Sequence, residues 1–298
     1  MDTMRARAHA FASCVTAHLG HERVSTAALP VANADVFEGQ LFICRRARVG
    51  YIHVFKSAGT SIGHILRRTC QHHFGLSAAA SMSYCPFACL DVPYMARNRT
   101  APLCSRIYQR KGTRFEASCS EAALANISFF TFVRRTQGRV ASGVFEAARR
   151  GQLRQVHDRR ISSPSALVRS VLADCMQGTV CNHHLRPQTS FLMVRRANAL
   201  AEVLPSLRHV GLLERLAKEL APLLSLYFGA NSSSFIHKLV ARARFNVRAT
   251  APNRSALSGA VLPSHVRFDG ASQLSKAAQR MVGVAYAIDM ACIDQTLY

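Results

Sequence analysis

The chain has 298 residues, of which 49% are apolar, and its 38 lysines and arginines against 16 acidic residues give a formal net charge of +22. That apolar fraction suffices for a sizeable core, which excludes an intrinsically disordered chain, and the length suits one large α/β domain or two small ones. The cationic excess favours an anionic partner, such as a nucleotide, a nucleic acid, an anionic lipid or an acidic polysaccharide, although a solvated basic surface has the same composition.

The chain begins with a segment that we expect to lie outside the folded domain. Residues 1–38 show no sustained periodicity, are poor in acidic side chains and carry only a short apolar patch, which predicts an N-terminal extension of the targeting or stem type. No stretch of the sequence reaches the roughly 20 apolar residues of a membrane-spanning helix. The domain itself is predicted over 39–298.

Two strands, a polar turn and a helix come next. The apolar, β-branched and aromatic runs at 41–46 and 51–55 predict strands, and 62–74 has the spacing of an amphipathic helix. Thr60 or Ser61 is a suitable N-cap for that helix. The turn before it consists of Lys56, Ser57, Ala58, Gly59, Thr60 and Ser61.

The stretch at about 75–125 predicts an irregular insertion with short helices, tied by disulfides. It is rich in alanine and serine and holds several of the ten cysteines of the chain. Their spacing does not match a zinc site, so disulfides in an oxidising compartment explain them better. Four N-glycosylation sequons, at Asn98, Asn126, Asn231 and Asn253, indicate the same environment.

A second strand, turn and helix begins at 127. Residues 127–133 give the strongest strand signal in the chain, and 138–151 have a helical pattern that closes on Gly151. Further predicted helices are 164–176, 215–228 and 271–295, and further predicted strands are 190–194 and 208–214. The alternation of strands and helices predicts an α/β fold whose mostly parallel sheet is covered on both faces and binds ligands at the carboxyl ends of its strands.

Both strand-to-helix turns have the chemistry of phosphate sites. Such a turn exposes backbone N–H groups at the positive end of a helix, a glycine permits close approach, and hydroxyls and a lysine add donors. The lysine of a Walker loop follows the second glycine, whereas Lys56 precedes Gly59, so the spacing argues against a magnesium-ATP loop. In the second unit Arg134 ends the strand, and Ser142 lies about two helical turns later.

Together these motifs resemble the paired cofactor motifs of the Golgi carbohydrate sulfotransferases related to the heparan sulfate 2-O and chondroitin enzymes. HVFKSAGTS at 53–61 resembles their 5′-phosphosulfate loop, and FFTFVRRTQGRVASGVFEA at 129–147 resembles their 3′-phosphate motif. Three later stretches are also similar to family segments: NHHLRPQTSFL at 182–192, VGLLERLAKELAPLL at 210–224 and AYAIDMACI at 285–293. The resemblance therefore spans about 40–293.

The resemblance implies a P-loop-like three-layer α/β/α fold that binds 3′-phosphoadenosine 5′-phosphosulfate (PAPS) without a metal. Residues 57–61 would wrap the 5′-phosphosulfate, with Thr60 and Ser61 donating to its phosphate, and Lys56 would stabilise the leaving oxygen. Arg134 and Ser142 would hold the 3′-phosphate. The family also implies a carbohydrate acceptor and residence in the Golgi lumen or membrane.

The chain departs from the family motif at two positions. Arg135 stands where the family has an acidic residue, and Thr136 where it has a proline, but neither change removes a proposed phosphate donor. Arg139 matches a family arginine, either as a solvent-facing helix residue or as a phosphate contact.

The sequence leaves the catalytic base open. Histidine titrates near neutral pH, which makes His72 and His73 candidates. The 2-O enzymes use a histidine between the two cofactor motifs and other branches use a glutamate, and we assign His73 first. The other candidates, as base, acceptor contact or structural residue, are Glu116, Glu121, His183, His184 and Glu214.

Two other classes of protein share some of these features. A P-loop kinase or nucleotide-binding protein would use the same strand, loop and helix, and would bind ATP with magnesium. A non-enzymatic polyanion-binding protein would share the charge, but its arginines would be expected to cluster with stacking aromatic residues, and the chain has no tryptophan.

Overall fold

The described parts of the chain form seven helices of ten residues or more, several shorter helical turns and nine strands. The structure is a computed structural model that describes residues 2–19, 36–37, 40–76, 83–85, 114–115, 126–149, 153, 161, 163–176, 183–195, 201–243 and 274–298. The helices are α1 (Asp2–Leu19), α2 (Gly59–Phe74), α3 (Thr136–Arg149), α4 (Pro164–Met176), α5 (Leu216–Phe228), α6 (Ala230–Arg242) and α7 (Lys276–Ala285). The strands are β1 (Val36–Phe37), β2 (Gln40–Cys44), β3 (Val49–His53), β4 (Ser83–Cys85), β5 (Arg114–Phe115), β6 (Ser128–Val133), β7 (Met193–Arg195), β8 (Ala201–Val203) and β9 (Leu207–Leu212).

Two further pieces of chain position the site. Short 3₁₀ turns at His183–Leu185 and Thr189–Leu192 make up most of residues 183–192, which we name the Gln188 segment. After α7 the chain continues through Ala287–Asp289 and a π-helical turn at Met290–Gln295. We name residues 286–298 the C-terminal segment.

The central sheet has six strands in the order β5-β4-β2-β3-β6-β9. β3, β6 and β9 run parallel to one another, as do β4 and β5, whereas β2 is antiparallel to its neighbours β3 and β4. The prediction of an α/β fold with a mostly parallel sheet is therefore confirmed. β2 and β3 form a hairpin that was not predicted, in which Arg48 closes the turn with a left-handed φ of 51°. β1, β7 and β8 form a small separate antiparallel sheet.

Helices cover both faces of the central sheet. α2, α5 and α6 pack over Tyr51 and Phe130 on one face. α1 and the C-terminal segment pack over Ile52 and Phe129 on the other face. Successive side chains of a strand point to opposite faces, so the nearly continuous apolar run of β6 is what a strand buried on both sides requires. α3, α4 and α7 form a third apolar cluster beside the sheet.

α1 differs from the expected N-terminal extension, because it packs into the domain. Its buried apolar residues, spaced as on one helix face, are Met4, Ala8, Phe11 and Val15. Arg7 donates to Glu219 of α5 at 2.8 Å. Residues 2–19 thus belong to the folded unit, and 20–35 lie outside the described residues.

Two disulfides connect elements near the two turns. Cys44 at the end of β2 is bonded to Cys70 of α2. Cys14 of α1 is bonded to Cys292 of the C-terminal segment. Of the predicted insertion at 75–125, the structure describes only 75–76, β4 and β5, so its cysteines and its predicted helices lie mostly outside the described residues.

Two predicted elements downstream have different forms. The strand expected at 190–194 begins as a 3₁₀ turn and becomes β7 only at Met193. The helix expected at 271–295 is α7 followed by the turns of the C-terminal segment, and α6 was not predicted. Among the described residues, no helix combines the length and the apolar character needed to cross a membrane.

Candidate functional site

The loop between β3 and α2 is a tight turn with two left-handed residues. Lys56 has a φ of 68° and Ala58 a φ of 58°, on either side of Ser57. The Ser57 N–H donates to the Val54 carbonyl at 3.3 Å, and Ala58, instead of the predicted Thr60 or Ser61, precedes the helix. A left-handed backbone at a non-glycine residue costs about 1 kcal/mol and is often found at functional sites. A loop in which left-handed residues alternate with a residue of another conformation resembles the backbone nests whose N–H groups bind anions.

Gly59 lets α2 begin directly against the ring of His53. A Cβ at Gly59 would overlap the His53 imidazole, so no larger residue fits there without a shift. Burial lowers the pKa of His53 to about 4, and the ring beneath the loop is therefore neutral at neutral pH. Besides the close phosphate approach predicted from the sequence, Gly59 thus has a packing role against His53.

The hydroxyl groups of the loop differ in where they lie. Ser57 is fully buried, and its Oγ donates to Gln188 Oε1 at 3.5 Å. Thr60 is exposed and Ser61 is half-buried in the first turn of α2. Thr60 and Ser61 are therefore the hydroxyls that an anion at this helix start could reach, whereas Ser57 faces the interior.

The turn between β6 and α3 places Arg134 along the side of its own helix. The Arg134 Nε lies 3.3 Å from the position that a Cβ on Gly138 would occupy, so the guanidinium folds back over the first turn of α3. Ser142 is half-buried one turn beyond Gly138. Residues four apart share a helix face, so Arg134 and Ser142 lie along the same face of α3.

Lys56 reaches that face from the other turn. Its Nζ lies 3.6 Å from Glu146 Oε2, and the two side chains are 24% and 12% exposed. Glu146 is one helical turn beyond Ser142, so Gly138, Ser142 and Glu146 form a line about 12 Å long. We name this line, with Arg134 at one end and Lys56 at the other, the α3 face.

Gln188 is hydrogen-bonded to both turns from the buried side of the site. Its Oε1 accepts from the Arg134 N–H at 3.0 Å, and its Nε2 donates to the Arg134 carbonyl at 2.7 Å. The same Oε1 receives the hydroxyl of Ser57, and the residue is fully buried. An amide side chain can donate and accept at once, so Gln188 holds both turns in a fixed relation.

Asp289 holds Gln188 in turn. Its carboxylate accepts from the Gln188 N–H at 2.6 Å and from the Thr189 N–H at 2.9 Å. Burial raises the pKa of Asp289, and the charge of Arg139 opposes that rise. A buried carboxylate is retained where backbone donors and an opposite charge offset its lost hydration.

Arg139 is fully buried, so its interpretation as a solvent-facing residue was wrong. Its Nε donates to the Phe55 carbonyl at 3.2 Å, and its Nη2 donates to the His184 carbonyl at 3.5 Å. Nη1 has no hydrogen-bond partner among the described residues. Because Phe55 immediately precedes Lys56, Arg139 fixes the start of the loop between β3 and α2.

The start of α3 is occupied by the carboxylate of Asp294. The Thr136 N–H donates to its two oxygens at 3.0 and 3.2 Å, and the Thr136 hydroxyl donates at 2.9 Å. Burial raises the pKa of Asp294, and the bonds from Thr136 oppose the rise. Any anion held by Arg134 and Ser142 would therefore depend on those side chains and not on the Thr136 N–H.

A cavity of about 390 Å³ adjoins the Arg134 end of the α3 face. It lies between Arg134, Arg135, Glu214 and Asp294. The guanidinium of Arg135 lies 4.7 Å from the ring centre of Tyr298, whose hydroxyl donates to Glu214. The volume is within the range of small-molecule sites, and the arginines supply charge for an anionic ligand.

The structure does not bring His73 to either turn. It lies in the last turn of α2, about 21 Å along the helix axis from Gly59. Its Nδ1 is hydrogen-bonded to Ser232 at 2.7 Å, and its ring packs against Phe228. His72 stacks on Phe235 at the same end of the helix. This position does not support either histidine as the base for a substrate held at Lys56.

The other candidate bases are placed as follows. His184 is buried, and its ring lies edge-on to Phe55 at 5.1 Å. Glu214 is exposed beside the cavity. Glu116, Glu121 and the side chain of His183 lie outside the described residues.

Sequence reasoning assigned no role to four residues of this site. Gln188 and Asp289 lie inside stretches that resemble the family, and Glu146 stands four residues after Ser142, so each had a local signal. Asp294 had none, because it meets Thr136 only through the fold.

Comparison with known proteins finds no matching family model, no matching curated protein and no matching solved structure.

Proposed function

We propose that the protein is a sulfotransferase that moves the sulfuryl group of PAPS to a hydroxyl of a carbohydrate. The observation that carries the proposal is the α3 face, which has Arg134 at one end, Ser142 in the middle and Lys56 at the other end. A nucleoside 3′,5′-bisphosphate also has its two anionic groups at opposite sides of one ribose. The presence of cationic side chains at both turns, which resemble the family motifs, supports a ligand with two phosphate groups.

The P-loop-like character of the fold is part of this proposal. The loop at 54–58 lies at the carboxyl end of β3, which is parallel to β6, and α2 follows it directly. Ligands of open α/β sheets bind at such strand ends. Lys56 precedes Gly59, so the loop would hold phosphate without the lysine position of a Walker motif.

The residues present fit the donor at both ends. The first turn of α2 has Thr60 and Ser61 as donors, and the ammonium of Lys56, which lies on the loop just before that turn, would add a cation for the 5′-phosphosulfate. Arg134 and Ser142 would hold the 3′-phosphate, and Gln188 would keep the two subsites at a constant separation. PAPS supplies a sulfuryl group on a phosphate leaving group.

The protein's part in transfer would be positioning and charge stabilisation. The bond between sulfur and the phosphate oxygen breaks with its electron pair left on that oxygen, a bond to the acceptor oxygen forms, and the hydroxyl proton passes to a base or to water. Lys56 would stabilise the negative charge on the leaving oxygen. Gln188, Arg139 and Asp289 preorganise the loop that aims Lys56.

The acceptor is proposed from charge and environment. The net charge of +22 suits an anionic glycan. Asn126 and Asn231, the two sequon residues in the described part of the chain, are exposed, as glycosylation in the secretory pathway would need. These features support our proposal that the reaction takes place in the Golgi on a glycan acceptor.

The first experiment measures binding of adenosine 3′,5′-bisphosphate by calorimetry. Lys56→Met and Arg134→Met should each weaken binding about tenfold or more, because each removes a charge-assisted contact. Lys238→Met and Arg169→Met, which remove exposed charges of the same type on α6 and α4, should leave it unchanged. Absence of binding by the folded wild-type protein would contradict the proposal.

The second experiment measures transfer of labelled sulfate from PAPS to a panel of desulfated glycans. Labelled product should depend on Lys56 and on Arg134. Binding of ATP that requires magnesium would instead indicate a kinase, and steeply salt-dependent glycan binding without nucleotide binding would indicate a polyanion-binding protein.

A further inference from the structure

An acidic side chain lies at the Lys56 end of a surface that should receive an anion. Glu146 Oε2 is 3.6 Å from Lys56 Nζ. Glu146 stands on the same face of α3 as Ser142, one helical turn further on. Its negative charge would repel a phosphosulfate at the loop, so its presence there needs an explanation.

We propose that Glu146 is a positioning residue for Lys56, which holds the ammonium in place until the leaving oxygen of the donor takes it over. The inference rests on the proposed function. Glu146 makes its contribution through Lys56 and does not itself accept the proton of the acceptor hydroxyl.

The burial of the pair supports this role. With the side chains only 24% and 12% exposed, the contact is shielded from water in a way that surface ion pairs are not. A lysine has a flexible four-carbon stem and loses orientation easily when nothing holds its end. A carboxylate on a rigid helix is a fixed partner, whereas the loop that carries Lys56 is short.

The backbone conformation of Lys56 also supports this positioning role. Its φ of 68° is a left-handed conformation that a residue with a side chain adopts at a cost. The Arg139 contact to the Phe55 carbonyl fixes the loop just before it. The ion pair with Glu146 then fixes the other end of the same side chain, so the ammonium is oriented from both directions.

Displacement of this contact accompanies binding of the donor. Lys56 Nζ can donate three hydrogen bonds, so it can turn from the carboxylate to a leaving oxygen a short distance away. Glu146 thereby has two effects. It lowers the affinity of the site for anions before the donor binds, and it holds the ammonium of Lys56 in one orientation. Removing its charge should separate these two effects.

The test compares Glu146→Gln with the wild-type protein. The variant should bind adenosine 3′,5′-bisphosphate roughly threefold to tenfold more tightly, because a like charge has been removed from the site. It should transfer sulfate about tenfold more slowly at saturating PAPS, because Lys56 is less well oriented. Asp2→Asn, which removes an exposed carboxylate at the start of α1, should change neither quantity.

A double-variant cycle separates positioning from direct proton transfer. In a Lys56→Met background, Glu146→Gln should have little further effect on the transfer rate, since the side chain it positions is gone. A full tenfold loss in that background would overturn the inference and make Glu146 the base. Equal affinity and equal rate for wild type and Glu146→Gln would also overturn it.

The wild-type measurements distinguish this inference from the proposed function. If the wild-type protein binds the bisphosphate and transfers sulfate, the results for Glu146 decide the inference alone. If the folded wild-type protein neither binds nor transfers, the proposed function fails and this inference is overturned with it. Unchanged thermal unfolding of Glu146→Gln would show that its effects do not come from loss of fold.

Discussion

The two turns of the candidate site are built in opposite ways. At the start of α3, the N–H and hydroxyl of Thr136 are already used by the carboxylate of Asp294. At the start of α2, the N-cap residue Ala58 makes no side-chain cap hydrogen bond within the described part of the chain, and the first turn of the helix contains no acidic residue. The donors of Thr136 are therefore not open to a ligand, so we expect the side chains of Arg134 and Ser142 to contribute most at α3, whereas first-turn backbone N–H groups can contribute at α2.

The turns also differ in how they are held. The α2 turn has local supports, namely the Cys44–Cys70 disulfide and the His53 ring beneath Gly59, in addition to its bonds to Gln188 and Arg139. The α3 turn is supported from the far end of the sequence, by the C-terminal segment that Cys14–Cys292 ties to α1. Part of the support of the α2 turn is therefore local, whereas the α3 turn depends on the return of the C-terminal segment.

Removing the disulfides one at a time should show this difference most strongly. The two bonds join residues 278 and 26 apart in sequence. On a chain-entropy model, the Cys14→Ser/Cys292→Ser double variant should lose about 5.6 kcal/mol of unfolding free energy, and Cys44→Ser/Cys70→Ser about 3.5 kcal/mol. Urea unfolding of the oxidised proteins measures both. Equal losses, or a larger loss at Cys44–Cys70, would contradict the comparison.

Acidification should act on the α2 turn through His53. Burial lowers its pKa from 6.5 to about 4, so the unfolded chain binds this proton at a higher pH than the folded protein does. The stability that comes from keeping the ring neutral is present above pH 6.5 and is lost as the pH falls towards 4. For one such group the loss is about 3 kcal/mol.

Urea unfolding at several pH values tests this with His53→Phe. The variant should lose about 3 kcal/mol less than the wild-type protein between pH 7 and pH 4. Burial also lowers the pKa of His209 to about 4, but that residue is present in both proteins and cancels in the difference. Parallel pH profiles for the two proteins would show that the ring beneath Gly59 does not titrate as described.

Gln188 is the direct link between the turns, so its replacement should affect both. Gln188→Leu leaves the N–H and carbonyl of Arg134 without the bonds of 3.0 and 2.7 Å and should cost about 2 kcal/mol of unfolding free energy. Adenosine 5′-phosphate and adenosine 3′-phosphate should both bind more weakly. Gln279→Leu on α7, which loses one half-buried bond to Leu274, is the matched control. A loss confined to one nucleotide would show that the turns are not linked through Gln188.

The elements beside the turns could be predicted because their signals are local. The apolar runs of β3 and β6 and the polar turns after them are adjacent in sequence, and they fold as adjacent structure. α1 also carried a signal, since Met4, Ala8, Phe11 and Val15 have helical spacing, but the composition of the first residues suggested an extension. His73 was predicted as the base from its chemistry alone, and the length of α2 places it at the opposite end of that helix from Gly59.

The supports of the α3 turn could not be predicted in this way. Thr136 and Asp294 are far apart in sequence, and neither has a pattern that points to the other. Gln188 and Asp289 are likewise far apart in sequence, and neither has a pattern that points to the other. Such contacts follow from the topology of the sheet and the return of the C-terminal segment, which no local periodicity encodes.

Asp294 gives the smallest expected effect and the sharpest test of the comparison. Asp294→Asn keeps an acceptor for Thr136 but removes the charge at the helix start, so it should cost about 1 kcal/mol of unfolding free energy. The same change removes a negative charge beside Arg134 and Arg135, so adenosine 3′,5′-bisphosphate should bind about threefold more tightly at low salt. Because the cavity is open to solvent ions, that gain should shrink as salt is raised. Weaker binding by Asp294→Asn with unchanged stability would mean that Asp294 contacts the ligand, and the α3 turn would then bind through its helix start after all.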